Sequence, residues 1–230
     1  HFAERREHAH VNDRELLARA GRSGEAIADV SGPRRYNFVP FIGLGTGGSS
    51  ALYGMVLERF FPVDFSPKRN FPHAQGNSLP EQWPITYDDL GPYYEAAEEL
   101  FRVRGTADPL RGNLSTAHFL PPPELSAGAR ELHDFLHAKG LHPYRVPLAC
   151  EFVSGCECCQ SYLCSDDCKN DSARICLQPA LTEFGAQLLS ECDVLRLEAS
   201  DSAVTGVVCE YQGRQVTLRG KVVVLAAGAL

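Results

Sequence analysis

At 230 residues the chain is long enough for one or two domains with a sizeable buried core. Its 44% hydrophobic content is that of an ordinary globular protein, and a net charge of -7 argues against a nucleic-acid groove or an anionic membrane surface as its partner. No apolar run approaches the roughly 18 residues of a membrane span and no leader-like stretch follows His1, so a small molecule or another protein is the expected partner, with location open between cytoplasm and periplasm.

In chain order, a short helix is predicted over Asn12 to Ala20, capped by Asn12 or Asp13 and carrying Leu16 and Leu17 on its apolar side, with Gly21 and Gly24 ending it. Next comes "GLGTGGSSALYGMVLERF", with a literal G-x-G-x-x-G at Gly43, Gly45 and Gly48. A dinucleotide fingerprint needs a buried strand before it and a long helix after it. Here Pro33 and Pro40 bracket a polar, arginine-bearing segment upstream, while Gly54 and the prolines of "FPVDFSPKRNFP" follow, so the context rejects that reading. What remains is either a plain glycine-rich turn or a loop whose backbone can approach something bulky. From Phe61 to Pro84 the density of Pro, Asn and aromatic residues predicts an irregular connection.

"WPITYDDLGPYYEAAEELFRV" predicts an amphipathic helix, with Thr86 and Asp89 as a capping box, Pro92 early, Tyr93 and Tyr94 as packing residues, and an end near Gly105. "PPPELSAGARELHDFLHAKGLHPY" predicts another, Ser126 to Lys139, stopped at Gly140. His133 and His137 have a spacing that can bind zinc, but the residues between them lack a metalloprotease glutamate, and two solvated histidines are the simpler reading.

Nine cysteines are many for this length, and five crowd into "CECCQSYLCSDDC" as Cys156, Cys158, Cys159, Cys164 and Cys168. Disulfides would need an oxidising compartment and separate partners for the neighbours Cys158 and Cys159. Zinc would want paired C-x-x-C knuckles, which the run lacks. Thiolates converging from a short stretch suit an iron-sulfur cluster, and free structural thiols are the fourth possibility. Cys150, Cys176, Cys192 and Cys209 sit among apolar neighbours and read as small buried hydrophobes.

The tail alternates: "DVLRLEAS", "AVTGVVCEY" and "RQVTLRG" predict a β-meander with turns at Gly206 and Gly213, before "VVVL", Val222 to Leu225, reads as a buried parallel strand entering a small-residue turn. A domain rarely stops inside such a strand, so the whole is expected to be an internal stretch of a longer polypeptide.

Five segments in register, "GTGGSSALYGMVLERF", "WPITYDDLGPYYEAAEEL", "KNDSARICLQPAL", "DVLRLEASDSAVTGVVCEY" and "KVVVLAAGAL", resemble the glucose-methanol-choline (GMC) family of FAD-dependent oxidoreductases from about Phe38 to Leu230. The resemblance implies an α/β fold with α+β elements: part of a Rossmann-like FAD-binding domain, part of a substrate-binding domain, and the β-meander. It divides the chain into a flavin loop with helices over about 38–105, a substrate-side segment with the cysteines over 106–175, and a return to the FAD domain over 176–230. It implies oxidation of a CH-OH group of an alcohol or sugar donor with hydride transfer to flavin, and it places the family's catalytic His and its true fingerprint outside these residues.

By the same resemblance Gly45, Gly47, Gly48 and Ser49 would line the phosphate and ribityl side of FAD, Tyr53, Gly54 and Met55 would approach the isoalloxazine, Val194 would offer its backbone to the adenine, and Ala226, Ala227 and Gly228 would form a turn flanking the dinucleotide. The cysteine spacing is similar to that in bacterial GMC sugar dehydrogenases that hold a [3Fe-4S] cluster, which implies Cys158, Cys159, Cys164 and Cys168 as ligands and an electron-acceptor protein of cytochrome type as partner. The rival is a flavin-free, cysteine-rich metal-binding or electron-relay module in which the glycine loop is only a turn.

Overall fold

The computed structural model describes residues 14–73, 76, 78–112 and 115–228. It separates into two units, 1–180 and 181–230.

In the first unit α1 (Arg14–Arg19) turns its one buried residue, Leu17, inward, and Gly21 ends it with a φ of 73°. The expected caps Asn12 and Asp13 lie outside the described residues. β1 (Ile27–Asp29) and β2 (Tyr36–Phe38) pair antiparallel as a small surface ribbon. The prolines flanking β2 keep it short and exposed, as the sequence implies. The described residues of 61–84 are largely irregular, with one 3-10 turn over Pro62–Phe65 and the single-turn helix α2 (Pro67–Asn70).

The helix α3 (Tyr87–Leu100) begins at the predicted box: the Asp89 amide donates to Thr86 Oγ1 at 3.2 Å and the Thr86 amide donates to Asp89 Oδ2 at 2.8 Å. It ends earlier than Gly105, because Arg102 turns left-handed (φ 52°) and Val103 leaves the helix to pair with other segments. Its inward stripe is mixed rather than apolar. Glu98 is buried on it and makes a two-pronged ion pair with buried Arg59, 2.6 Å at each contact, while Tyr94 packs against Tyr87 and Arg59. Tyr93, expected to pack, is exposed. α4 (Ala127–Ala138) has Ser126 as its N-cap and Gly140 just beyond its end at φ 76°, and none of its residues is fully buried.

Among the described residues no regular sheet organises the core of this unit. Its hub is the extended segment Pro147–Glu151, which three other segments meet through isolated bridges. Ala149 donates its amide to Met55 O at 2.8 Å, Leu148 and Arg104 exchange amide bonds of 2.9 Å, and Glu151 and Asn170 donate to Cys168 O and Ala149 O at 2.8 and 3.0 Å. Val103, Ala149, Cys150 and Cys168 are shut off from solvent around it. Gly105 is required here: a Cβ would stand 2.8 Å from Pro147 Cα. A π-helical turn (Ala173–Leu177) leads into α5 (Gln178–Glu183).

The second unit is the predicted meander: β3 (Cys192–Ala199), β4 (Val204–Tyr211) and β5 (Arg214–Leu218), antiparallel in that order. Gly213 forms the second turn, but Gly206 lies within β4 opposite Glu198, and the first turn is closed by Ser200 and Ala203 instead. Gly206 fits the strand because its partner face is crowded, with Thr217 Cγ2 only 2.8 Å from where a Cβ would stand. Val222 to Leu225 do not form the expected strand: among the described residues none pairs with them, and Val222, Val224 and Leu225 are exposed. A parallel strand exists only beside a neighbour, and no described strand aligns with this run. No helix among the described residues is long and apolar enough to cross a membrane.

Candidate functional site

The glycine loop and the segment Cys168–Ala173 form one structure. Gly45 and Gly47 both take a φ of 87° and Gly48 one of 52°, after which Gly48–Ala51 closes a 3-10 turn. Two serines fasten the loop. Ser50 Oγ lies 2.6 Å from Gly47 O and 2.7 Å from Ser172 Oγ, and the Ser172 amide donates to Ser50 Oγ at 3.1 Å. Gly47 packs on Ala173, where a Cβ would come within 3.2 Å of the alanine methyl, whereas a Cβ on Gly45 or Gly48 would meet open space.

The amides of Gly45, Thr46, Gly47 and Ser49 make no hydrogen bond among the described residues. Successive amides in left-handed backbone, with no acidic residue in the turn, form a concavity suited to an oxygen-rich anion. Beside it Arg22, whose backbone bridges to Gly43, stacks its guanidinium 4.2 Å from the Phe41 ring and leaves a buried Nε without a partner.

Behind the loop stand two buried polar residues. Lys169 donates to Ala51 O at 2.9 Å and Tyr162 O at 2.8 Å. Asn170 donates to Phe101 O at 2.8 Å and Glu151 Oε1 at 3.2 Å, and its Oδ1 accepts from Arg174. Glu151 also faces Arg102 at 2.6 Å and Arg104 at 3.1 Å. Burial alone would raise its carboxyl, but the two guanidiniums and the Asn170 amide hold it down at about 2.

Next to these lies the thiol cluster. Cys156 Sγ is 3.7 Å from Cys150 Sγ and 2.9 Å from Cys168 Sγ, and Cys164 Sγ is 3.4 Å from Cys168 Sγ. All nine cysteines are free. Burial pushes Cys150 up to about 12 and raises Cys168 still further; in Cys156 and Cys164 the same burial is outweighed by hydrogen bonds to sulfur from neighbouring thiols and amides, and both are lowered.

Gly45, Gly47, Gly48 and Ser49 thus share one exposed-to-half-buried loop. Tyr53, Gly54 and Met55 run from it into the cysteine region: Tyr53 OH donates to Asn170 O at 2.5 Å, Gly54 is covered by Gln160, and Met55, at φ 63°, is buried against Cys150 and Cys168. All four expected cysteine ligands lie at the cluster: Cys164 and Cys168 in the contacts above, half-buried Cys159 against Cys164, and Cys158, exposed with a φ of 50°, against Cys156 and Cys150. The sequence reading counted Cys156 in the crowded run but not among the ligands, and it took Cys150 for a small buried hydrophobe, because Cys150 is brought in by the hub segment and not by spacing. It also passed over Lys169, Asn170 and Ser172, whose one visible signal is a polar run directly after a buried cysteine. In the second unit Val194 sits in β3 at a bulge before Arg196, opposite Cys209 and 61% exposed, so its backbone borders a break in the ladder. Ala226, Ala227 and Gly228 are exposed, with Gly228 at φ 88°.

A family model described as GMC oxidoreductase matches residues 135–230. The chain is similar to 6'''-hydroxyparomomycin C oxidase of Streptomyces lividus, 30% identical over 202 residues that cover 83% of this chain and 36% of the relative. It is likewise similar to the gluconate 2-dehydrogenase flavoprotein of Pantoea cypripedii, 26% identical over 230 residues, again covering 83% of this chain and 36% of the relative. The chain therefore spans about a third of the length of these curated relatives. That match runs through the cysteine loop, the serine-bearing anchor of the glycine loop and the meander, so over residues 135–230 the chain is that of a GMC oxidoreductase.

Proposed function

We propose that this chain contributes the flavin-contacting loop of an FAD-dependent oxidoreductase that acts on the CH-OH group of an alcohol or sugar donor. The observation that carries the reading is the glycine loop: open space over Gly45 and Gly48, unfilled amides on Gly45, Thr46, Gly47 and Ser49, and a serine anchor behind them that fixes the left-handed turn. These features fit the pyrophosphate and ribityl oxygens of FAD, which need donors already in place and no side chain in the way. FAD, when bound, supplies the hydride-accepting chemistry. The chain's own part is to hold and orient it: amides of Gly45, Thr46, Gly47 and Ser49 toward the oxygens, with Arg22 as the nearby cation and Ser172 keeping the loop closed. The names of the two relatives support the donor class, one being an oxidase of a 6'''-hydroxy compound and the other a dehydrogenase of gluconate. An electron-acceptor protein is the second partner of this reading.

The test is flavin content in the full-length protein. Gly47→Val and Gly48→Val should abolish retention of FAD, since a branched side chain is barred from these backbone angles, and at Gly47 it also presses on Ala173 while at Gly48 it stands in the open space over the loop. Gly112→Val, at a φ of 69° in another loop, should keep it and serves as the control for general strain. Full flavin occupancy in both loop variants would refute the assignment.

A further inference from the structure

We propose that His133 and His137 on α4 bind one divalent late first-row metal ion, nickel, copper or zinc, through their imidazole nitrogens at the surface of the first unit. The assignment is independent of the flavin reading and of the thiols. Both histidines lie on one continuous helix, Ala127–Ala138, a single turn apart. Side chains four residues apart on a helix share a face, with Cβ atoms about 5–6 Å from each other, and both lean toward the N-terminus. Two nitrogens at about 2.1 Å from one ion stand about 3.0–3.4 Å apart. Rotation about χ1 and χ2 brings two such imidazoles to that separation without moving the backbone.

Spacing alone leaves the pair as two solvated histidines, and the structure adds what spacing lacks. His133 is half-buried and its Nδ1 lies 3.4 Å from Asp134 Oδ1. A carboxylate on that nitrogen holds the ring proton there and leaves the lone pair of Nε2 for an ion, the arrangement that orients histidine ligands in metal sites. His137 is exposed, and its imidazole has no hydrogen-bond partner among the described residues, so it gives up no bond on binding. The nearest cations are engaged elsewhere. The Arg130 guanidinium is 2.8 Å from Glu124, and the Lys139 ammonium lies 5.6 Å from the centre of the Phe135 ring, which the helical spacing sets on another face.

The helix is held at its ends more than along its sides. Ser126 Oγ accepts from the Ala129 amide at 3.3 Å, the Gly140 amide donates to His137 O at 3.0 Å, and none of the residues between is fully buried. With so little packing, opening of α4 is a local event, and an ion that spans one turn is chelated only while that turn is formed. Imidazole donors select nickel, copper and zinc over the oxygen-loving cations, copper being the strongest in the general order. Water completes the coordination, because among the described residues no third histidine, cysteine or carboxylate groups with these two at ligand distance.

Nickel is the probe, since softer thiolates compete for zinc and for reduced copper. Full-length protein carrying no affinity tag is titrated with Ni2+, and amide hydrogen exchange across α4 is followed by mass spectrometry. Exchange there should slow about tenfold when the free ion stands at about ten times its dissociation constant, because the opened helix has lost the chelate. His133→Ala and His137→Ala should each abolish the slowing. Alanine is the better helix former at these accessible positions, so both variants keep the helix, and exchange without metal verifies it. His118→Ala, a histidine outside α4, should respond to Ni2+ as the wild type does. Exchange across α4 unchanged by Ni2+, slowing that persists in either α4 variant, or slowing lost in His118→Ala would each overturn the proposal.

Discussion

The meander and the cysteine loop hold their shapes by opposite means. In β3 to β5, order is spread over twelve residue pairs of a backbone ladder, and most side chains on it are exposed. Between Ala149 and Ser172 there is no ladder; order rests on a few buried side chains, Cys150, Cys168, Lys169 and Asn170, each with several partners. Distributed order tolerates single changes, because each pair contributes only tenths of a kcal/mol, whereas concentrated order does not. The comparison also bears on the glycine turn, which is fastened to the concentrated region through Ser172 and Lys169, so its unfilled amides are held by that buried side-chain network.

The contrast is sharpest at Asn170. Its side chain is fully buried and serves Phe101 O, Glu151 and Arg174 together. Asn170→Ala takes a partner from each, leaving Glu151 to Arg102 and Arg104 alone, and should cost about 3 kcal/mol. Gln215→Ala, on the exposed side of β5, should cost under about 0.5 kcal/mol. Urea midpoints of the full-length protein compare them, and similar shifts for both variants would break the contrast.

A smaller effect is expected from acid. The Glu151 carboxyl titrates near its ordinary 4.5 when unfolded and near about 2 when folded, so the stability it confers is complete above pH 4.5 and is lost as pH falls toward 2. With Arg102 half exposed and its attraction screened, the loss should be about 2 kcal/mol. Glu151→Gln should flatten the pH dependence of the urea midpoint over that window while leaving the meander unaffected.

The two regions were also unequally legible. Alternation in "DVLRLEAS" and "AVTGVVCEY" marks strands because a ladder imposes period two on its own residues, and Thr86, Asp89, Ser126 and Gly140 mark helix ends because caps act within four residues. The left-handed glycines of the glycine loop follow from composition for the same local reason. What brings Cys150 to Cys156, or Ser50 to a serine 122 residues away, is long-range pairing on the hub strand, which leaves no periodic trace. Gly206 misleads for a related cause: it reads as a turn, but the neighbouring strand excludes a side chain there. Val222 to Leu225 carry the composition of a strand, yet pairing needs a neighbour that composition cannot supply.

The smallest expected effect has the opposite sign, and it sits in the region of distributed order. Tyr211 pairs with Arg214 across a two-residue loop in which Gln212 and Gly213 have φ values of 51° and 71°. Positive φ at both central residues is the requirement of a type I′ hairpin turn, where Asn-Gly is the favoured sequence, since the short Asn side chain tolerates the left-handed region that a longer one resists. Gln212 gives up only a 3.2 Å contact to its neighbour's hydroxyl and is otherwise exposed. Gln212→Asn should therefore stabilise the β4–β5 hairpin by about 0.5 kcal/mol, and Gly213→Ala should destabilise it by about 1 kcal/mol. Amide hydrogen exchange at Val208 and Cys209, which pair with β5, reads both, because protection there depends on the hairpin staying closed. Slower exchange in the first variant and faster in the second would confirm that turn geometry sets the meander's stability locally; unchanged exchange in both would mean that the ladder, and not the turn, holds the strands together.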